Sequence, residues 1–281
     1  MSDQEPSQKA YGKAPEPIFI GGLMKSGTSL LRALLGQHPD LFGSFETHWY
    51  EDAIRENWAD PSSKRMGYLR NFFDLDDPTY EKICDLKCAD PAREYVDIVL
   101  EYKTQEVGKK RWVEKTPDNI RHWTLAKEIW PNAKLIHVTR NYKDCFASWK
   151  DKRKDTIETF LTSALSAYHD IDGLLGKETD DYIQIDYFDL VTQTEPTMRK
   201  VLDFIGEDWS EACAELQLDK TGEEREKVKT VLGRESHTNI SLSKQIFPDS
   251  IGQWERILSP EEAETIDREL SVYADKIGVK S

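Results

Sequence analysis

The sequence predicts an α/β fold: a parallel, P-loop-like β-sheet flanked by helices and carrying a helical insertion. Three observations support this. Short apolar runs alternate with helical periodicity along most of the chain, the pattern of a parallel sheet covered on both faces. The first apolar run ends in a Gly/Ser/Thr turn that opens at once into an amphipathic helix, the strand–loop–helix order of a phosphate cradle. The span from about residue 50 to 110 is aromatic and acidic with no strand signal, which reads as helices inserted over the sheet.

Taken in order, residues 1–16 are polar, with Pro6, Gly12 and Pro15, and read as a flexible arm. Residues 17–281 read as a single domain, and 281 residues suffice for one large core. Ile18–Ile20 is a short buried strand. Leu30, Leu31, Leu34 and Leu35 recur at helical spacing and stop near Gly36–Pro39. The insertion carries Trp49, Tyr50, Trp58, Tyr68, Phe72, Phe73 and Tyr80, as wall of an acceptor pocket or as core. Further strands fall at Trp112–Val113, Leu135–Val138 and Tyr182–Ile185, with helices over about 118–130, 141–152, 156–175 and 195–205. A last helix begins at Ser259, an N-cap followed by Pro260 at its first position and Glu262 at its third.

Composition narrows the function. A net charge of −14 argues against a nucleic-acid surface, so an anionic ligand would need a locally basic cleft. No apolar run approaches the ~20 residues of a membrane span, and no signal-peptide core follows Met1. Cys84, Cys88, Cys145 and Cys213 include no C-x-x-C pair. Cys84 and Cys88 share a helical spacing, but no second pair completes a zinc site. Free thiols in a reducing cytoplasm are expected, and no metal.

Two segments carry chemistry. In the first, Lys25, Ser26, Gly27, Thr28 and Ser29 follow the strand. Small residues let backbone N–H groups approach an anion, Lys25 adds a full charge, and the hydroxyls add donors. Gly22 and Gly27 have the gap of the triphosphate loop G-x-x-x-x-G-K-[ST], but Thr28 stands where its lysine belongs. A ligand-free Gly/Ser turn is the alternative for this loop alone. In the second segment Arg140 ends a strand, and Ser148 follows eight residues later in a helix. The planar guanidinium suits a phosphate; a local ion pair with Asp144 is the alternative.

The order Lys-Ser-Gly-Thr-Ser and the Arg140/Ser148 pair resemble the 5′-phosphosulfate and 3′-phosphate motifs of sulfotransferases, which use 3′-phosphoadenosine-5′-phosphosulfate (PAPS). The likeness extends over about residues 17–255 and is nearest in pattern to protein-tyrosine sulfotransferases and related bacterial enzymes. His38-Pro39-Asp40 followed by Glu46-Thr47 resembles the region that bears their catalytic glutamate, twenty-one residues after the loop lysine. Trp112–Pro117 resembles their E-K-T-P-like segment, and Ile185–Leu190 their Y-E-D-L motif, with Phe188 where an acid is usual. Ile251–Glu255 resembles a late G-x-W segment, but Gln253 and Glu255 stand where a basic residue often lies.

The resemblance implies a sulfotransferase fold, PAPS as donor, no metal, and in-line sulfuryl transfer to a hydroxyl or amine, with a small-molecule acceptor favoured. It implies Glu46 as base with His48 as its rival, and Lys25 and Lys115 stabilising the developing charge. The implied donor-binding set is Lys25, Ser26, Gly27, Thr28, Ser29, Leu30, Arg140, Ser148 and Tyr187, with Lys244 as a substitute basic contact and Ser236–Lys244 as a cover. A nucleotide or sugar kinase with a degenerate loop, or a non-catalytic nucleotide-binding protein, is the alternative. Magnesium-dependent ATP binding would mark the kinase.

Overall fold

The computed structural model describes residues 16–50, 64–85, 91–153, 156–216, 229 and 250–278. Five parallel strands form one sheet in the order β2-β3-β1-β4-β5. They are β1 (Ile18–Gly22), β2 (Leu41–Gly43), β3 (Arg111–Lys115), β4 (Lys134–Thr139) and β5 (Tyr182–Asp186). Being central, β1 is paired on both sides, with Ile18 opposite Val113 and Lys134, and Gly22 opposite Val138. Since successive side chains alternate between faces, β1 splits its apolar residues. Ile18 and Ile20 pack with Leu31, Leu34 and Leu35 of α1 (Thr28–Leu35), while Phe19 packs on the other face with Trp49, Trp130 and Leu135. Complete burial of such side chains contributes about 1.5–3 kcal/mol each.

Between β2 and β3 lie the helices α2 (Lys64–Phe72), α3 (Asp77–Cys84) and α4 (Pro91–Glu106). Their Leu69, Phe72, Ile83, Tyr95, Val99 and Leu100 join the Phe19 side of the core. Of the aromatics in this span, Trp49, Phe72 and Phe73 are core, whereas Tyr68 and Tyr80 are only partly buried; Trp58 lies outside the described residues, as do residues 1–15.

The helix expected over about 118–130 is two pieces, a 3₁₀ turn at Pro117–Ile120 and α5 (Trp123–Ile129). The Asn119 side chain, bonded to Ile20 O at 2.9 Å and to Glu114 Oε2 at 2.7 Å, ties that turn to the sheet. Then follow α6 (Tyr142–Arg153), α7 (Ile157–Asp170), α8 (Tyr187–Thr192), α9 (Thr194–Ile205), a 3₁₀ turn at Glu211–Ala214, α10 (Trp254–Ile257) and α11 (Pro260–Ile277). The start of α11 is the capping box read from the sequence: Glu262 N donates to Ser259 Oγ at 3.2 Å, and Ser259 N to Glu262 Oε2 at 2.8 Å. Among the described residues no helix is long and apolar enough to cross a membrane.

Candidate active site

Parallel α/β sheets present ligands at the carboxyl ends of their strands, and here each strand end delivers a residue the sequence singled out. Lys25 follows β1, Glu46 and His48 follow β2, Lys115 ends β3, Arg140 follows β4 and Tyr187 follows β5. The loop after β1 closes by a bond from Ser26 N to Leu23 O at 3.0 Å. Lys25 has φ 73° and Gly27 φ 109°. A left-handed lysine is uncommon, and strain of this kind gathers at ligand sites. Gly27 has a steric reason as well: a Cβ there would stand 2.4 Å from the Tyr187 ring.

Arg140 is 7% exposed. Its Nη1 donates to Lys25 O at 2.9 Å and its Nη2 to Ser250 O at 2.6 Å. The guanidinium carbon lies 4.3 Å from the Tyr187 ring centroid, a cation–π arrangement. Tyr187 also shares a 2.8 Å hydrogen bond with Ser250 Oγ. The local acid is otherwise engaged: Asp144 accepts from Gly252 N at 2.9 Å and from Trp254 N at 3.1 Å. Ser148 is buried on α6. Among the described residues six buried side-chain polar atoms have no hydrogen-bond partner, and two of them, Ser26 Oγ and Arg140 Nε, lie in and beside this loop. Buried polar atoms are seldom left so, and these two flank the loop where an oxyanion would sit.

A second group of polar side chains is built across β2 and β3. Lys115 Nζ is hydrogen-bonded to Glu46 Oε1, and His48 Nε2 lies 3.3 Å from Glu46 Oε2. Burial pushes the Glu46 carboxyl up, but the Lys115 ammonium and the neighbouring His48 ring outweigh it and hold the group well below the usual carboxylate range. Behind this pair sits Glu114, fully buried, accepting from Thr47 N and Thr47 Oγ1 at 3.0 Å each, Thr116 Oγ1 at 2.6 Å and Asn119 Nδ2 at 2.7 Å. Burial raises its carboxyl, and these four donors pull it only part of the way back. Asn119 Oδ1 in turn accepts from Trp49 Nε1 at 2.9 Å.

The model of the sulfotransferase family matches residues 17–211. The chain belongs to the sulfotransferase family. Protein-tyrosine sulfotransferase 1 of Danio rerio is 25% identical over 232 residues, covering 72% of this chain and 56% of that protein. The protein-tyrosine sulfotransferase of Drosophila melanogaster is 25% identical over 227 residues, covering 75% and 42%. The chain thus spans about half the length of the curated sulfotransferases it matches. Among solved structures, the sulfotransferase domain from the Synechococcus PCC 7002 olefin synthase superposes with a TM-score of 0.69 at 23% identity, over 99% of this chain and 100% of that one. A sulfotransferase domain from the curacin biosynthetic pathway gives a TM-score of 0.61 at 18% identity, over 92% and 99%. The chain therefore has the sulfotransferase fold.

Against the residues expected from sequence, Lys25 to Leu30 form the loop and first turn of α1, with Arg140 and Tyr187 packed beside them and Ser148 on α6. Glu46, His48 and Lys115 meet in one hydrogen-bonded group. Lys244 and the expected cover at Ser236–Lys244 lie outside the described residues. Asn119 and Asp118 carry no signal of their own in the sequence, Glu114 enters there only within the E-K-T-P-like segment, and Tyr50 only as pocket wall or core. The signal for Glu114 and Asn119 together was a buried-strand acid followed by an asparagine five positions on. Among the described residues no three His, Cys, Asp or Glu side chains group as a metal site, and Cys84, Cys145 and Cys213 are free thiols.

Proposed function

We propose that this sulfotransferase moves the sulfuryl group of PAPS to a hydroxyl or amine of a small-molecule acceptor, with Glu46 as the contacting base. The observation that carries the reading is the pair of orphaned buried donors, Ser26 Oγ and Arg140 Nε, beside a left-handed Lys25 loop. These residues fit an anion with two separate phosphate ends. Lys25, Ser26, Gly27, Thr28, Ser29 and Leu30 would hold the phosphosulfate, and Arg140 and Ser148 the 3′-phosphate, with Tyr187 beside the nucleotide. Lys244 belongs to the proposal on sequence alone. When bound, PAPS supplies an activated sulfuryl group on a phosphate that leaves as an anion. Lys25 and Lys115 stabilise negative charge that develops there, a contribution of several kcal/mol when preorganised. Glu46 takes the proton from the acceptor, worth about 10²–10⁴-fold. The part-buried Tyr68 and the β2–β3 insertion border this side, since Tyr68 Oη donates to Glu46 O at 3.2 Å. The net charge of −14 disfavours a nucleic-acid acceptor. A reducing, cytoplasmic setting is part of the same reading and rests on the free thiols.

The test is transfer of labelled sulfate from PAPS to a panel of alcohols, phenols and amines, with thermal shifts for the desulfated nucleotide against ATP plus magnesium. Sulfated product, stabilisation by the desulfated nucleotide, and weaker nucleotide binding in Arg140→Ala are expected. No product and no nucleotide binding would sink the assignment. Stabilisation by ATP plus magnesium alone would replace it with a kinase.

A further inference from the structure

Beyond Glu46, the hydrogen bonds run on. His48 Nε2 is 3.3 Å from Glu46 Oε2, and His48 Nδ1 is 3.2 Å from Tyr50 Oη. Tyr50 Oη donates to Asp118 Oδ2 at 3.3 Å. Tyr50 is held in place by His122, whose ring stacks on it at 4.1 Å between centroids and 16° between planes. His48 itself sits at φ 52°, a left-handed backbone that persists only where the surroundings impose it. The line therefore passes from the proposed base to a half-exposed carboxylate, Asp118, 34% exposed.

The relay takes the arrangement in which Tyr50 gives its one proton to Asp118, a carboxylate that can only accept, and its oxygen accepts from His48 Nδ1–H. In that tautomer the Nε2 of neutral His48 is an acceptor turned toward Glu46 Oε2. Two acceptors face one another across 3.3 Å, an arrangement completed by a single shared proton. The reaction releases one: the acceptor oxygen gives up its proton as it bonds to sulfur.

We propose that Glu46 and His48 act in series, with Tyr50 and Asp118 as positioning residues that fix the His48 tautomer and stabilise its protonated form. This rests on the sulfotransfer reading above. The acceptor O–H bond breaks as the O–S bond forms, and the proton passes to Glu46 Oε2. The carboxylic O–H then breaks toward His48 Nε2, giving an imidazolium that donates Nδ1–H to Tyr50. His48, 32% exposed, returns the proton to water after the products leave. Glu46 alone is a poor proton store, because Lys115 holds it ionised; the relay gives the site an imidazole's basicity at the carboxylate's position. The charged and titratable groups facing the relay among the described residues are Glu46, Lys115, Asp118, Arg121, whose guanidinium lies 3.8 Å from Asp118, and His122.

Long-range ¹H–¹⁵N spectra of the full ¹⁵N-labelled chain read the tautomer directly, with His48 assigned by its absence in His48→Gln. Wild type should show neutral His48 as the Nδ1–H tautomer. Tyr50→Phe should convert it mainly to Nε2–H, and Asp118→Asn should lower its titration midpoint. Both variants should bind the desulfated nucleotide as wild type does, while kcat with an acceptor found in the panel falls about 10-fold or more. An Nε2–H His48 in an active wild-type enzyme, or a tautomer unmoved by Tyr50→Phe, overturns the relay alone. The expected tautomer in a protein that transfers no sulfate overturns the sulfotransfer reading, and the relay's role with it.

Discussion

Glu114 offers the sharpest test of how the proposed base, Glu46, is held. Its carboxylate is fully buried and collects four donors: Thr47 N, Thr47 Oγ1, Thr116 Oγ1 and Asn119 Nδ2. In Glu114→Ala the two hydroxyls can turn to other acceptors, and Asn119 Nδ2 keeps Ile20 O at 2.9 Å. The backbone N–H of Thr47 has no such recourse. One orphaned buried donor costs about 1–3 kcal/mol, and the void adds to it, so a loss of about 2–4 kcal/mol is expected, a large share of the ~5–15 kcal/mol typical of a domain. Glu114→Gln keeps the volume and one acceptor oxygen, but sets an amide N–H₂ against Asn119 Nδ2. Asn119 cannot turn over without losing both Ile20 O and Trp49 Nε1. About 1–2 kcal/mol is therefore expected for glutamine. Since Thr47 lies between Glu46 and His48, both variants should lose turnover by more than their lost stability explains. Urea unfolding of the full chain, paired with PAPS turnover at a temperature where each variant is folded, measures this. Glu114→Ala within about 1 kcal/mol of wild type, or glutamine costing more than alanine, would refute the reasoning.

Two further outcomes follow from the same site. Gly27→Ala must place a Cβ 2.4 Å from the Tyr187 ring at φ 109°, so affinity for the desulfated nucleotide should fall about 10-fold or more, equivalent to ~1.4 kcal/mol; calorimetry giving a Kd within about twofold of wild type would contradict the packing. Glu46 is held below its ordinary 4.5, so the stability it contributes is fully present above that pH and is lost as pH falls below it. Glu46→Gln should therefore lose less stability than wild type on acidification through that range. Equal slopes in acid unfolding curves would count against the Lys115–Glu46 pair.

The strand–loop–helix of β1 and α1 was legible because it is local. The Lys25 loop is a strand, a turn and a helix within sixteen residues, Pro17 to Arg32, and Arg140 lies just ahead of α6, which carries Ser148. The capping box at Ser259 is likewise contained in four residues. What escaped the sequence is held by distant partners. The strand β2 is only Leu41–Gly43 and exists by pairing with β3, Leu41 opposite Arg111. Glu114 reads as a polar interruption in an apolar strand until Thr47, 67 positions earlier, comes to it. Tyr50 and Asp118 are 68 positions apart, and nothing local to either marks a shared chain of hydrogen bonds. The choice between Glu46 and His48 stayed open for the same reason: spacing places them near one another, but only the fold orients Nε2 toward one and Nδ1 toward Tyr50.

The strand order separates the two halves of the site along the sheet. The proposed nucleotide contacts cluster on the interior strands β1 and β4 and on β5, while Glu46 leaves the short edge strand β2 and Lys115 ends β3, where the chain re-enters the sheet. The insertion that connects those two strands thus has one of the proposed reacting side chains at each seam. Replacing its middle, from the residues after Tyr50 to the end of α4, leaves both seams and the Glu114 clasp in place. On the proposed reading, grafting one contiguous segment should change acceptor preference while the proposed nucleotide loop is left as it is.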